Sequence, residues 1–249
     1  MSVARFLVVT MLALAPLAAA AESACGGKDL AGGTVVGIRD GRTLLLADGR
    51  EVRLAAIETP AGAASALAAL AQGRTLTLKA GSEASDRYGR AVAFAVPAGA
   101  AETLQESLLA AGQARVSARI GTKFCAAALL TLEKQARAAR RGLWADPNFA
   151  PLPAEDYRRL RAETGHFVLV EGKVLSVRTS GATIYVNFGR RFTRDLSLTI
   201  LRRLRAGFSA AGIEPGTLEG RRIRVRGWLE RRRGPIIAVD APEQIEVIE

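Results

Sequence analysis

The chain has 249 residues, 49% hydrophobic and 24% charged, a balance that excludes a disordered or fibrous protein and leaves room for two modest domains. Lys and Arg outnumber Asp and Glu 35 to 24, and the resulting charge of +11 points to polyanionic partners, with nucleic acid or an anionic membrane surface first. The same balance also suits a generic basic exported protein kept in solution by its charge.

In chain order, Arg5, an apolar run from Phe6 to Leu17 and the small residues Ala18–Ala21 make a charged n-region, a short h-region and an A-x-A-like cleavage site. Residues 1–21 are therefore expected to be a signal peptide, and the protein to be periplasmic or secreted. That run is roughly half of what a membrane span needs, and no later stretch approaches about 18 apolar residues, so no transmembrane segment is expected after cleavage. The only cysteines are Cys25 and Cys125. In an oxidising compartment an isolated pair is expected to form a disulfide, the alternative being two unpaired thiols.

Short β-patterns follow at Thr34–Ile38, Thr43–Ala47 and Val52–Ile57, separated by the turn pairs Asp40–Gly41 and Asp48–Gly49. Gly62–Ala71 reads as a helix, Arg74–Lys79 and Ala91–Val96 as strands, and Glu102–Ala111 as a helix. Lys123–Arg140 reads as a longer helix with Leu129, Leu132 and Ala136 at helical spacing, closed by Arg140–Arg141 before Gly142. This order predicts a small closed barrel with helices packed on it.

Residues 147–163 read as a Pro-containing linker with a short polar helix from Ala154 to Arg161. Strand patterns resume at Phe167–Val177, Ala182–Phe188 and Leu196–Ile200. A basic helix, Leu201–Ala211, precedes Arg221–Leu229, Pro235–Val239 and Ile245–Ile248. That succession predicts an OB-like barrel over residues 164–249. No sequence repeat relates the halves.

The segment Gly33 to Leu46, containing Arg39–Asp40–Gly41–Arg42–Thr43, and the segment Asp48 to Pro60 resemble the opening of the staphylococcal nuclease (thermonuclease) family, roughly DGDT and then vRLxgIDxPE. The resemblance continues at Asp86–Arg87–Tyr88–Gly89–Arg90 and ends at Glu133–Trp144. It implies an α+β fold over residues 22–146, an OB-type five-stranded barrel with three helices. It also implies phosphodiester cleavage by water beside one Ca²⁺, with aspartates holding the metal, a glutamate as base and two arginines on the developing charge. Each part has its reason: a hard cation wants carboxylate oxygens, water needs activation, and transition-state charge needs fixed cations.

On this likeness Arg53 and Arg90 take the two arginine positions, while Arg87 and Tyr88 take the basic and aromatic positions beside a nucleotide phosphate. Asp40 matches the first aspartate of DGDT, Arg42 replaces the metal-binding second one, and Glu58 stands where the other metal aspartate should be. Pro60 matches, but the base position is Ala61, and no Asp or Glu occurs between Thr59 and Ser82. His166, the only histidine, lies beyond the linker and is not expected to replace the base. Losing a general base costs about 10²–10⁴-fold. A guanidinium in place of a ligand opposes Ca²⁺ by about 4 kcal/mol per unit-charge pair at 4 Å. No cofactor is therefore expected, Ca²⁺ entering only if Glu58 or Asp40 serves as base in an active enzyme.

In Arg221–Leu229, alternation puts Ile223, Val225 and Leu229 on one face and Arg222, Arg224, Arg226 and Trp228 on the other, a face suited to phosphates with one stacked base. The expectation is an exported nucleic-acid-binding protein that holds the phosphodiester backbone without efficient cleavage. The alternatives are an active metal-dependent phosphodiesterase of the thermonuclease kind and an envelope protein–protein scaffold.

Overall fold

The computed structural model of the chain describes Ser23, residues 25–120 and residues 123–248; the expected signal segment, residues 1–21, lies outside them. The first unit runs through β1 (Asp29–Asp40), β2 (Thr43–Leu46), β3 (Glu51–Leu54), β4 (Ile57–Glu58), α1 (Ala64–Ala71), β5 (Thr75–Ser85), β6 (Ala91–Pro97), α2 (Leu104–Ala110), β7 (Arg115–Val116) and α3 (Lys123–Ala138). Strands β1-β2-β3-β6-β5 close into a barrel in which only β3 and β6 pair in parallel. Alternation along these strands drives Leu44, Leu54, Leu76, Leu78 and Phe94 inward, where Leu108 of α2 and Leu129 of α3 cover them.

The two Asp-Gly pairs fall in the expected hairpin turns. Gly49 takes a positive φ of 85° while Asp48 accepts the Arg50 N–H, the local bonding that makes such pairs turn-formers. Thr103 and Glu106 form a reciprocal capping box that starts α2. Cys25 and Cys125 are joined as a disulfide, tying the segment before β1 to α3.

The second unit contains β8 (Leu152–Pro153), α4 (Tyr157–Ala162), β9 (Phe167–Lys173), β10 (Ser176–Ser180), β11 (Thr183–Asn187), β12 (Ser197–Leu201), α5 (Arg205–Ala210), β13 (Arg222–Arg231), β14 (Pro235–Ala238) and β15 (Ile245–Val247). Its sheet order is β10-β11-β12-β14-β13-β9-β8, with β15 also on β13. Only Val174 and Leu175 separate β9 from β10, so covalent continuity joins the β9 and β10 positions of this sheet. The circuit then repeats the first barrel's: first strand on second, second on third, third parallel to fifth, fifth on fourth, fourth on first.

Three expectations are corrected. Phe167–Val177 is not one strand: at Val174 the chain bonds Arg221 and at Leu175 it bonds Asn187, changing partner from β13 to β11. Leu201 ends β12 instead of opening a helix, and a 3-10 turn, Arg202–Leu204, precedes α5. Residues 147–163 are no free linker, because β8 pairs in parallel with β9 and the Ala154 N–H bonds Glu171.

The two units share an interface. Trp144 and Ala136 of the first pack on Phe167 and Leu169 of the second. Beside them Arg226, 1% exposed, donates two hydrogen bonds to the equally buried Glu133 and one to the Val116 carbonyl. Among the described residues, no helix is long and apolar enough to cross a membrane.

Candidate phosphate-binding site

The β1–β2 turn brings Asp40 and Arg42 to the mouth of the first barrel. Asp40 spends both carboxylate oxygens on the turn, one accepting the Arg42 N–H at 2.8 Å and the other the Thr43 hydroxyl at 3.0 Å. A Cβ at Gly41 would lie 2.6 Å from Thr59 Oγ1 and 2.7 Å from Ala63 Cβ, so glycine is what lets this turn press against the loop after β4. That loop follows a left-handed residue, Ala56 with φ 62°, whose carbonyl accepts the Ser117 N–H and so docks β4 beside β7.

Arg42 lies against Glu58, the other residue at a metal-ligand position of the family. It donates to the Ile57 carbonyl at 2.7 Å and meets Glu58 Oε2 at 2.5 Å, both side chains being about one-seventh exposed. Burial pushes the Glu58 carboxyl above its ordinary range, against the pull of Arg42, Arg53 and Arg115. On the far side of the mouth, Asp86 accepts backbone N–H groups of Tyr88 and Arg90 and holds the Arg90 guanidinium at 2.6–2.7 Å. Tyr88, 67% exposed, has Arg87 and Arg90 at 4.7 and 5.1 Å from its ring centroid.

Arg53 is different. It is half-buried on β3, and among the described residues its guanidinium makes no hydrogen bond and no ion pair. Burial, then Arg42 and Arg90, push its pKa down, while Glu58 and Asp40 act the other way. The five groups Asp40, Arg42, Arg53, Glu58 and Arg90 are thus electrostatic neighbours. Arg42 is paired with Glu58 and Arg90 with Asp86, which leaves Arg53 as the one guanidinium of the three without an ion-pair partner among the described residues, with Asp40 as its nearest unpaired countercharge.

The acids at the mouth already have partners within the protein. Asp40 is committed to the turn, Glu58 to Arg42, and among the described residues no three of His, Cys, Asp or Glu converge as a metal-binding set.

The face of β13 is partly closed. Arg222 and Trp228 reach solvent, Trp228 being 48% exposed. Arg224 and Arg226 do not stand free as the alternation implied. Arg224 pairs with Glu171 and Glu246, and Arg226 with Glu133 and Glu246. Arg226 is met by Glu133 of the first unit's α3 and Arg224 by acids of the flanking strands β9 and β15, contacts between distant segments that period-2 alternation does not report.

Two features escaped the sequence. One is a cavity of about 1270 Å³ over the outer faces of β10, β11, β12 and β14, which presents Arg178, Tyr185, Arg232 and Arg233. Alternating Thr183, Tyr185 and Asn187 was the available signal. The other is a cleft of about 350 Å³ between the barrels, walled by Glu58–Ala61 and Arg115 on one side and His166 and Trp228 on the other. His166 therefore shares a cleft with Ala61, contrary to its distance along the chain, and has Glu163 3.5 Å from Nδ1.

Residues 51–146 match the family described as staphylococcal nuclease homologue. They run from β3 through Trp144, so this part of the first unit is staphylococcal nuclease-like. No curated protein matches the chain.

Proposed function

We propose that this staphylococcal nuclease-like domain belongs to an exported nucleic-acid-binding protein and holds the phosphodiester backbone without efficient cleavage. The observation that carries the reading is Arg53, a half-buried guanidinium without a protein partner, beside two further guanidiniums already held in place by Glu58 and Asp86. A phosphate oxygen arriving there meets fixed donors and relieves repulsion among the cations. Export is supported by the signal-like residues 1–21 and by the disulfide, which persists in oxidising compartments. Weak cleavage follows from an acid set tied up by Arg42 and the β1–β2 turn, and from Ala61 at the base position.

A gel shift against salt tests the binding. Salt-dependent retardation of an oligonucleotide is expected, with Arg53→Ala weakening it and flattening the log–log slope by about 0.7 for a single strand. Binding that ignores salt, or none at all, overturns the reading in favour of a protein scaffold. A second reading, a weak phosphodiesterase, is favoured by His166 standing on the same cleft as Ala61 with a carboxylate beside it. Incubation with Ca²⁺, Mg²⁺, Mn²⁺ or EDTA separates the two. Robust cleavage abolished by Arg53→Ala would replace the binding-only reading, and dependence on His166 would identify the base.

A further inference from the structure

The cleft between the two units holds a guanidinium that two aromatic rings flank but no acid of the described residues pairs with. The side chain of Arg115, on β7, makes no hydrogen bond and no ion pair among the described residues. Its guanidinium lies 5.9 Å from the Phe149 ring centroid and 5.5 Å from that of Phe167. Its Nε is buried without a partner, but its two terminal nitrogens are not sealed off, and the side chain lines the cleft. A guanidinium so desolvated has its pKa pushed down by burial. Leaving such donors unsatisfied costs free energy unless something from outside meets them.

Across from Arg115 stands Trp228, half-exposed and braced edge-on by Phe167 at 6.1 Å. The cleft also begins at Glu58, the acid that Arg42 covers in the phosphate site. Its volume lies within the range of pockets that hold small ligands. Both walls are rigid, since the Arg226–Glu133 pairing and the Trp144–Phe167 packing fix one barrel on the other.

We propose that this cleft is a nucleotide subsite for a single strand. The strand crosses from Arg53 past Glu58, places its next phosphate on the terminal nitrogens of Arg115 and stacks the attached base on Trp228. A duplex does not satisfy the site, because a paired base has no face free for the indole. The proposal rests on the phosphate reading of Arg53 and extends it from one barrel to two.

The test uses the full chain, a labelled thymidine decamer, an abasic decamer of equal charge and a duplex of the same length. Wild type is expected to prefer the thymidine decamer. Trp228→Ala should weaken it roughly 10-fold while leaving the abasic strand unchanged, since one stacked base carries that much. Arg115→Met should flatten the salt slope by about 0.7 on both single strands. Arg53→Ala should weaken all of them. Thermal melts check that each variant folds, and Arg115→Lys, which keeps the charge, guards against a packing defect. If Arg53→Ala weakens binding but the Trp228 and Arg115 variants bind as wild type does, the subsite is wrong and the phosphate reading stands. If the duplex binds as tightly as the decamer, the single-strand assignment fails. If no strand binds at all, both readings fall together.

Discussion

At the residue scale, the contact between Arg42 and Glu58 decides what the mouth of the first barrel is able to do. A carboxylate this buried is expensive to ionise, and its raised pKa says that burial outweighs the cations around it. Arg42→Ala removes the nearest of those cations without removing the acid. The sign is fixed by linkage: a carboxyl whose folded pKa exceeds the unfolded one stabilises the fold below the unfolded value and loses that contribution as pH rises through the folded value. Removing Arg42 raises the folded pKa further. The variant should therefore be destabilised by about 1–3 kcal/mol near neutrality, the cost of a buried group left unpaired, with the deficit shrinking toward pH 4. Urea melts at several pH values check this, and a deficit that grows on acidification would contradict it. Glu58→Gln in the same background should recover most of the loss at neutral pH.

At the element scale, β13 shows what local pattern conveys and what it omits. The alternation of Arg222–Leu229 put Ile223, Val225 and Leu229 in the core, as they are, because side-chain direction along a strand is a local property. It said nothing of what covers the opposite face, which depends on α3, about ninety residues away in the chain. The same limit applies to the site. Asp40, Arg42, Arg53, Glu58 and Arg90 were legible because they sit on short hairpins and strands in a recognisable order. His166 and Arg115 were not, because only the docking of the barrels brings them to one cleft. Arg226→Met should cost about 3–5 kcal/mol, since it leaves Glu133 buried with less countercharge. That is a fall of roughly 10 °C in Tm for a chain of this size. Adding Glu133→Gln should recover part of it, because a neutral amide needs no counter-ion and keeps an oxygen for the Val116 N–H. Calorimetry on the three proteins checks the order, and an additive double variant would show that the pair is not coupled. The cluster also sets an acid limit. Burial alone would raise Glu246, but Arg226, Arg224 and Arg137 together hold it below its ordinary 4.5. Its contribution is present above that value and lost as pH falls through the lower folded one.

At the scale of the whole molecule, a closed barrel and a second β unit that repeats its strand circuit are joined by a buried interface. Topology of this kind is carried by pairing order and not by residue identity, so the strand patterns predicted the closed barrel of the first unit, while the likeness of the second unit's circuit shows only in its pairing order. The disulfide lies wholly within the first unit, closing a separation of 100 residues between Cys25 and Cys125. Constraining an unfolded loop of that length is worth on the order of 2–5 kcal/mol. Cys25→Ser with Cys125→Ser should therefore lower the stability of the first barrel directly. What happens to the second barrel depends on the interface. Arg226, Glu133 and the Trp144–Phe167 packing belong to both units, so unfolding the first would expose Phe167 and strand Arg226 without its acid. The second barrel is then expected to follow, giving one calorimetric transition at a lower temperature with van't Hoff and calorimetric enthalpies equal. Two separated transitions, the upper one unmoved by loss of the disulfide, would show instead that the barrels fold independently and that the cleft between them has no fixed width.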